Sequence, residues 1–230
     1  MTSRPSQATL LESSVRSFSG LSGTENRDIM IHTLFWDIGG VLLTNAWDRT
    51  QRDAAMAKFQ LDPIEFQDRH EMVVSSFERG KISLDEYLDR TVFYRARSFT
   101  RDALKMYMYS LSQPLPETLD LARHLAASGK FTMATINNES RDMNLYRIET
   151  YKLREIFQFF VSSCYVGLRK PEKDIYRLAL EISQCKPEEC CFLDDRSLNL
   201  ECAQHLGMHT IQVQNAKQVR EELGNLGVQI

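Results

Sequence analysis

Carboxylate, amide and lysine side chains stand just after apolar segments of this 230-residue chain. The first is Asp37, which ends the apolar run 31–36 and is followed by Gly39 and Gly40. Glycines at such a point let the backbone turn sharply and approach a ligand closely. The pattern predicts a buried strand that presents the Asp37 carboxylate at its carboxyl end.

Further polar side chains follow the later apolar segments in the same way. They are Asn137 and Asn138 after the second predicted strand, Lys170 after the third, and Asp194 and Asp195 after the fourth. Ligands of a parallel sheet bind in the crevice beyond the carboxyl ends of its strands. We therefore expect all of these side chains to converge with Asp37 at one edge of the sheet.

Three carboxylates at one edge repel one another unless a cation lies between them. Oxygen ligands without Cys or His favour Mg²⁺, and a magnesium site in turn indicates a phosphorylated substrate. Asp37 stands alone at its strand end, where it can act as a nucleophile that forms an aspartyl phosphate. Lys170 can neutralise a phosphoryl oxygen and keep Asp37 ionised. The predicted phosphate-binding groups are Lys170, the side chains of Asn137 and Asn138, and the backbone N–H groups of Gly39 and Gly40.

Four helices without an intervening strand are predicted after the first strand. They cover residues 48–59, 63–78, 83–97 and 100–112. Ser83 and Glu86 have the spacing of a capping box at the start of the third helix. This stretch is longer than an ordinary crossover, so it predicts a helical cap inserted into another domain.

Helices and strands alternate from residue 116 onwards. The predicted helices cover 116–127, 140–157, 171–183, 198–206 and 216–226, and the predicted strands cover 131–136, 159–163, 190–193 and 209–213. This alternation predicts an α/β fold, a doubly wound parallel sheet with an inserted helical cap domain. The predicted units are a flexible tail at 1–29, a core formed by 30–46 and 114–230, and a cap at 47–113.

Composition narrows the range of partners. The formal net charge of -3 offers no basic field for a nucleic acid, and no apolar run has the length of a transmembrane helix. Five cysteines without metal-ligand spacing favour a reducing, cytoplasmic setting. The expected partner is a small phosphorylated metabolite, and the chain is expected to be a monomer or a homodimer. For residues 1–29, a targeting segment or a start-site artefact at Met30 are the alternatives to a native tail.

The chain resembles the haloacid dehalogenase superfamily over residues 31–225. The resemblance rests on four motifs in order: Asp37-x-Gly39-Gly40-Val41, Asn137-Asn138, Lys170-Pro171 and Phe192-Leu193-Asp194-Asp195. Segments near Gly80 and Lys170 are similar to the branch with bacterial glucose-1-phosphate phosphatase and the amino-terminal phosphatase domain of soluble epoxide hydrolase. The resemblance implies a Mg²⁺-dependent phosphatase that acts on a small phosphomonoester, with a sugar phosphate as the expected substrate.

The resemblance also implies a role for each site residue. Asp37 would be nucleophile and metal ligand, Asp195 the second carboxylate ligand, and the carbonyl of Gly39 a further ligand. Asp194 and Asn199 would support the metal indirectly.

Two positions depart from the family pattern. Asn137 stands where Ser or Thr is usual, and Gly39 stands where most of these phosphatases carry a second Asp that protonates the leaving group. Because general acid–base catalysis contributes about 10²–10⁴-fold, the alternative is an impaired or inactive phosphate-binding or interaction protein. A leaving group that departs without an acid should also be intrinsically good, such as an anomeric or aryl oxygen. Dehalogenation is a further alternative, and Asp194 with Asp195 would repel its carboxylate substrate.

Overall fold

A computed structural model describes residues 30–230 of the chain. The predicted tail at 1–29 lies outside the described residues. Five parallel strands form one sheet in the order β3-β2-β1-β4-β5. They are β1 (Thr33–Trp36), β2 (Thr132–Asn137), β3 (Phe159–Ser162), β4 (Cys190–Asp194) and β5 (His209–Gln212). The predicted doubly wound parallel sheet is confirmed.

Strand β1 lies at the centre of the sheet, where the strand order reverses direction. It pairs with β2 on one side and with β4 on the other, and Thr33 lies opposite Thr132 and Cys190. Side chains alternate between the faces: Trp36 packs in one hydrophobic cluster and Phe35 in another. Because both faces are covered, the strand reads as a continuous apolar run. Its carboxyl end therefore opens into the crevice where ligands bind in such sheets.

Four helices lie between β1 and the helix that leads into β2. They are α1 (Arg49–Lys58), α2 (Pro63–Glu78), α3 (Leu84–Thr91) and α4 (Arg101–Ser110). Their apolar faces form a hydrophobic cluster of their own, in which Phe77, Tyr87 and Leu104 are almost fully buried. The predicted capping box is confirmed, since Ser83 and Glu86 bond each other's backbone N–H groups at the start of α3. The predicted limits of this cap, 47–113, stay a prediction.

The remaining helices flank the sheet. They are α5 (Pro116–Ala127), α6 (Arg141–Thr150), α7 (Ser163–Val166), α8 (Lys173–Ser183), α9 (Ser197–Gln204) and α10 (Ala216–Asn225). No helix within residues 30–230 has both the length and the apolar character needed to cross a bilayer.

Several boundaries differ from the sequence prediction. The helix predicted at 83–97 ends at Thr91, and the Arg97 side chain donates to the carbonyl of Val92 just beyond that end. The helices predicted across 140–157 are α6 and the short 3-10 helix Leu153–Glu155, separated at Lys152, which adopts a left-handed conformation with φ of 53°. Asn137 is the last residue of β2 and does not follow it. The four-residue helix α7 was not predicted.

The end of α2 is held closely against the core. Gly80 has φ of +66°, and a Cβ there would lie 2.2 Å from the carbonyl oxygen of Cys164. Ser163 Oγ also donates to the carbonyl of Glu78, at 2.6 Å. A residue without a side chain is therefore required where the cap meets α7.

We predict that Gly80→Ala lowers the free energy of unfolding more than Gly129→Ala does. Gly129 has the same φ of +66° but no atom within 4 Å of its Cβ position, so it carries the backbone cost alone. Overpacking at residue 80 should add about 1–3 kcal/mol to the loss of unfolding free energy, measured by denaturant unfolding. Equal losses of unfolding free energy in the two variants would show that the backbone near Cys164 moves away from the added methyl group without an energetic cost.

Candidate functional site

Asp37 lies directly beyond β1, and its surroundings fix its side chain. Its backbone N–H continues the ladder to Leu193 at 2.8 Å, and its Oδ1 accepts from the N–H of Ile38 at 2.8 Å. The Lys170 Nζ lies 2.9 Å from Asp37 Oδ1 and 2.6 Å from Asp194 Oδ2. Lys170 is only 2% exposed. The sequence-predicted carboxylates and lysine are therefore brought together at one edge of the sheet.

The two carboxylates after β4 have different surroundings. Asp194 is fully buried and accepts hydrogen bonds from Lys170, from the Asn199 amide and from the N–H of Arg196. Asp195, in contrast, has a buried Oδ1 without any hydrogen-bond partner among residues 30–230. An unpaired buried carboxylate oxygen is costly unless a ligand satisfies it. Asp195 Oδ1 is thus an atom suited to contact a cation.

Asp37, Asp194 and Asp195 each offer one oxygen, and these oxygens lie within 4.8 Å of one another. Burial raises the pKa of Asp37 above its usual range and the neighbouring acids add to this, while Lys170 acts in the opposite direction. Burial also raises the pKa of Asp195. Burial disfavours the charge on Lys170, but Asp37 and Asp194 together outweigh it and raise its pKa. One ammonium group against three carboxylates leaves negative charge that a hard divalent cation fits.

The two glycines after Asp37 stand in close contact with other site residues. A Cβ on Gly40 would lie 2.3 Å from Asp195 Oδ2, and its φ is +77°. Only glycine therefore allows Asp195 to approach the turn. A Cβ on Gly39 would lie 2.8 Å from Asn45 Oδ1 and 3.4 Å from Arg147 Nη1. Asn45 and Arg147 thus border the space into which a side chain at residue 39 would extend.

The two asparagines have separate environments. Asn138 donates to the carbonyl of Lys170 and accepts from its N–H, both at 2.8 Å, and so holds the lysine backbone in place. Asn137 is 1% exposed, donates to Asn144 and accepts from Ser162. Asn138 lines the cavity described below, whereas Asn137 is not among its lining residues. The predicted phosphate contact of Asn137 stays a prediction, and its amide is engaged by Asn144 and Ser162 in this arrangement.

A cavity of about 340 Å³ extends from Asp37 to the helical cap. The core contributes charged groups that the sequence analysis did not single out, among them Glu139, Arg147 and Arg196, and the cap contributes Arg52, His70 and Glu78. These residues lie inside helices or beside the motifs. Only the packing of the cap on the core shows that they face one space.

Ion pairs across this cavity join the cap to the core. Arg169 of the core lies 2.8 Å from Glu78 of α2, and Arg196 lies 2.9 Å from Asp48, which caps α1. Within the core, Arg147 lies 3.1 Å from Glu139. Arg147 also donates to Ser112 and Thr44, on the two segments that connect the cap to the core. The cap therefore closes over Asp37 through paired charges.

A chain of hydrogen bonds in the cap holds the His70 ring in place. Trp47 Nε1–H donates to Tyr87 Oη at 2.9 Å, and Tyr87 Oη lies 2.8 Å from His70 Nδ1. When the Tyr87 hydroxyl donates to Nδ1, the proton of neutral His70 is on Nε2. Burial, with help from the positive Arg52, lowers the pKa of His70 to about 4. His70 is thus neutral at neutral pH.

Comparison with known proteins defines the class. A model of the haloacid dehalogenase-like hydrolases matches residues 31–207, and the chain belongs to this family. The resemblance seen in the sequence is thereby confirmed, and the family makes the chain a hydrolase.

Individual relatives align with part of the chain. The chain is 31% identical over 162 residues to flavin mononucleotide hydrolase 1 of Arabidopsis thaliana, covering 70% of this chain and 65% of that protein. It is 35% identical over 117 residues to bifunctional epoxide hydrolase 2 of Rattus norvegicus, covering 50% of this chain and 21% of that protein. The match thus spans less than two thirds of either relative.

A solved structure shows the same fold. It is a haloacid dehalogenase family enzyme of Bacteroides thetaiotaomicron in complex with magnesium and inorganic phosphate. The TM-score is 0.66 at 23% identity, with coverage of 80% of this chain and 94% of that one.

We predict that His70 makes stability depend on pH below neutrality. Its pKa is about 4 in the folded protein against 6.5 in the unfolded chain, so only the unfolded chain takes up the proton between these values. The variant His70→Gln keeps an acceptor for Tyr87 but has no imidazole to protonate. The free energy of unfolding of the wild type, relative to that of this variant, should therefore fall by about 3 kcal/mol from pH 7 to pH 4. Denaturant unfolding at both pH values tests this, and a constant difference would contradict the neutral, buried imidazole.

Proposed function

We propose that this protein is a Mg²⁺-dependent phosphomonoester hydrolase that acts on a small phosphorylated metabolite, most readily a sugar phosphate. The observation that carries the proposal is the buried contact of Lys170 with Asp37 and Asp194, beside an Asp195 oxygen that lacks a partner. The helical insertion, proposed to comprise residues 47–113, would cover the substrate.

Asp37 is the proposed nucleophile. Its carboxylate oxygen would attack phosphorus, the ester oxygen would leave with the electron pair of the broken P–O bond, and an aspartyl phosphate would form. Water would then attack phosphorus and regenerate Asp37 with release of inorganic phosphate. Lys170, 2.9 Å from Asp37 Oδ1, would favour the ionised nucleophile and neutralise a phosphoryl oxygen.

Asp37, Asp194, Asp195 and the carbonyl of Gly39 are the proposed groups around Mg²⁺. When bound, the ion would neutralise the carboxylates and draw negative charge from the phosphoryl oxygens. Asp194 is saturated by Lys170, Asn199 and Arg196 and would act by holding Lys170. Gly40 would let Asp195 and the phosphoryl group approach the backbone. Asn138, which holds the backbone of Lys170, would keep the lysine directed at Asp37.

The names of relatives support phosphomonoester hydrolysis. Besides the flavin mononucleotide hydrolase, D-ribitol-5-phosphate phosphatase of Bacteroides thetaiotaomicron is 24% identical over 212 residues. A protein that only binds phosphate remains the second candidate, because Gly39 leaves no carboxylate at the position of the usual acid.

Asp37→Asn should lower phosphatase turnover at least about a thousandfold, because it removes the nucleophile. Asp53→Asn, on the exposed face of α1, is the matched control and should retain activity. Removal of Mg²⁺ with EDTA should abolish turnover, and beryllium fluoride with Mg²⁺ should raise the Tm of the wild type but not of Asp37→Asn. Turnover that survives in Asp37→Asn would exclude the proposed nucleophile. A Tm increase without turnover of any phosphomonoester would favour the binding protein.

Leaving-group reactivity should govern the rate, because residue 39 offers no proton. Arg147, which borders that space, is a cation that does not release a proton at neutral pH. We expect kcat/KM for glucose 1-phosphate and 4-nitrophenyl phosphate to exceed that for D-ribitol 5-phosphate and flavin mononucleotide by about a hundredfold. The last two are primary alkyl phosphates, so equal rates for all four substrates would show that another group supplies the proton.

A further inference from the structure

The cationic side chains that line the cavity differ in whether they contact a carboxylate. Four of them contact carboxylates at 3.1 Å or less: Arg147 with Glu139, Arg169 with Glu78, Arg196 with Asp48, and Lys170 with Asp37 and Asp194. The fifth is Arg52 of α1, which forms no ion pair with any carboxylate of residues 30–230. The cavity therefore contains one buried guanidinium that contacts no carboxylate of residues 30–230, although its charge acts on Glu78 from a longer distance.

Arg52 is 9% exposed, and its donors are largely unused. Its Nη1 donates to the carbonyl of Trp47 at 2.8 Å, and its buried Nε has no hydrogen-bond partner among residues 30–230. A guanidinium has five N–H donors in a planar fork that matches carboxylate and phosphate groups. A purely structural Arg52 would satisfy the Trp47 carbonyl but would leave a desolvated charge with only distant compensation from Glu78, which is costly.

His70 of α2 adds a neutral imidazole to the same cavity, since both it and Arg52 line the space that contains Asp37. Burial and, to a lesser extent, the positive charge of Arg52 lower the pKa of His70. Tyr87 Oη lies 2.8 Å from Nδ1, and Nε2 carries the proton when the hydroxyl donates. Within residues 30–230, no hydrogen bond is formed by Nε2. Two cap helices thus present unused nitrogen atoms to the same space.

The acidic groups of the cavity contact other cations more closely than they contact Arg52. Glu78 and Asp48 are held by Arg169 and Arg196 of the core. Asp37 is held by Lys170 at the opposite, sheet end of the cavity. With a volume of about 340 Å³, the cavity suits a small ligand that reaches from Lys170 to the cap.

We propose that Arg52 and His70 form a subsite for an anionic oxygen group, a carboxylate or a second phosphate, carried by the leaving group of the substrate. The inference rests on the proposed phosphatase function and narrows its substrate class. That class is small phosphomonoesters with a second anion, such as phosphorylated sugar acids and sugar bisphosphates. Arg52 neutralises the second anion, and His70 donates a hydrogen bond to it.

Three anomeric phosphates that differ only at carbon 6 test the subsite. Glucose 1-phosphate has a hydroxyl there, glucuronic acid 1-phosphate a carboxylate, and glucose 1,6-bisphosphate a phosphate. The wild type should show a kcat/KM at least about tenfold higher for one or both anionic substrates than for glucose 1-phosphate, as expected for a charge-assisted pair. Whichever of the two is preferred identifies the anion, with product analysis to show that the anomeric phosphate leaves.

Arg52→Gln should remove this preference, so that kcat/KM falls at least about tenfold more for the preferred anionic substrate than for glucose 1-phosphate. Arg52→Lys keeps the charge but not the planar fork, so it should restore part of the preference. Arg49→Gln, on the exposed side of the same helix, is the matched control and should keep the full preference for the anionic substrate. An equal loss for all three substrates in Arg52→Gln would overturn the subsite in favour of a structural role for Arg52.

Binding separates this inference from the proposed activity. In Asp37→Asn protein with Mg²⁺, calorimetry should show tighter binding of the preferred anionic substrate than of glucose 1-phosphate, and Arg52→Gln should abolish the difference. A wild type that binds with this preference but turns over none of the three substrates would refute the phosphatase and retain the subsite. Equal binding of all three substrates by Asp37→Asn protein would refute the subsite, whatever the activity of the wild type.

Discussion

The site depends on the burial of Lys170 between two carboxylates at the carboxyl edge of the sheet. Taking an ammonium group out of water is costly, and Asp37 at 2.9 Å and Asp194 at 2.6 Å offset that cost. The strands that carry these acids, β1 and β4, are adjacent, so sheet register sets the distance between them. Removing the lysine would leave a fully buried Asp194 without its cation, so the fold and the site share this interaction.

The cap is joined to this edge by charge and by close packing. Arg169 and Arg196 pair with Glu78 and Asp48 across the cavity, and Arg147 bonds both connecting segments. Gly80 allows the end of α2 to meet the backbone of α7. Because these contacts leave Arg52 and His70 facing the cavity, cap packing decides which leaving group the enclosed space can accept.

The structure adds to what the sequence shows about Gly39, because it identifies the side chains that lie next to this residue. In the sequence it is an absent acid; in the structure the space beside it is bordered by Asn45 and by Arg147, whose charge is held by Glu139. Asp37 and Lys170 keep their contact beside this space. In the proposed reaction, Gly39 therefore affects the groups next to the leaving oxygen, whereas the groups proposed to act on the phosphoryl group are present.

The amino-acid sequence was enough to predict the parallel sheet and the edge where Asp37, Lys170, Asp194 and Asp195 meet, because strand ends and apolar runs are local patterns. Other features of the site depend on long-range packing. Asn137 faces Asn144 and Ser162 rather than the cavity, since the orientation of a strand-end side chain depends on the neighbouring strand and helix. Arg52, His70 and Arg147 lie inside helices, where spacing shows which residues share a face but not what that face meets. Their role depends on cap packing, a long-range contact that no local pattern encodes.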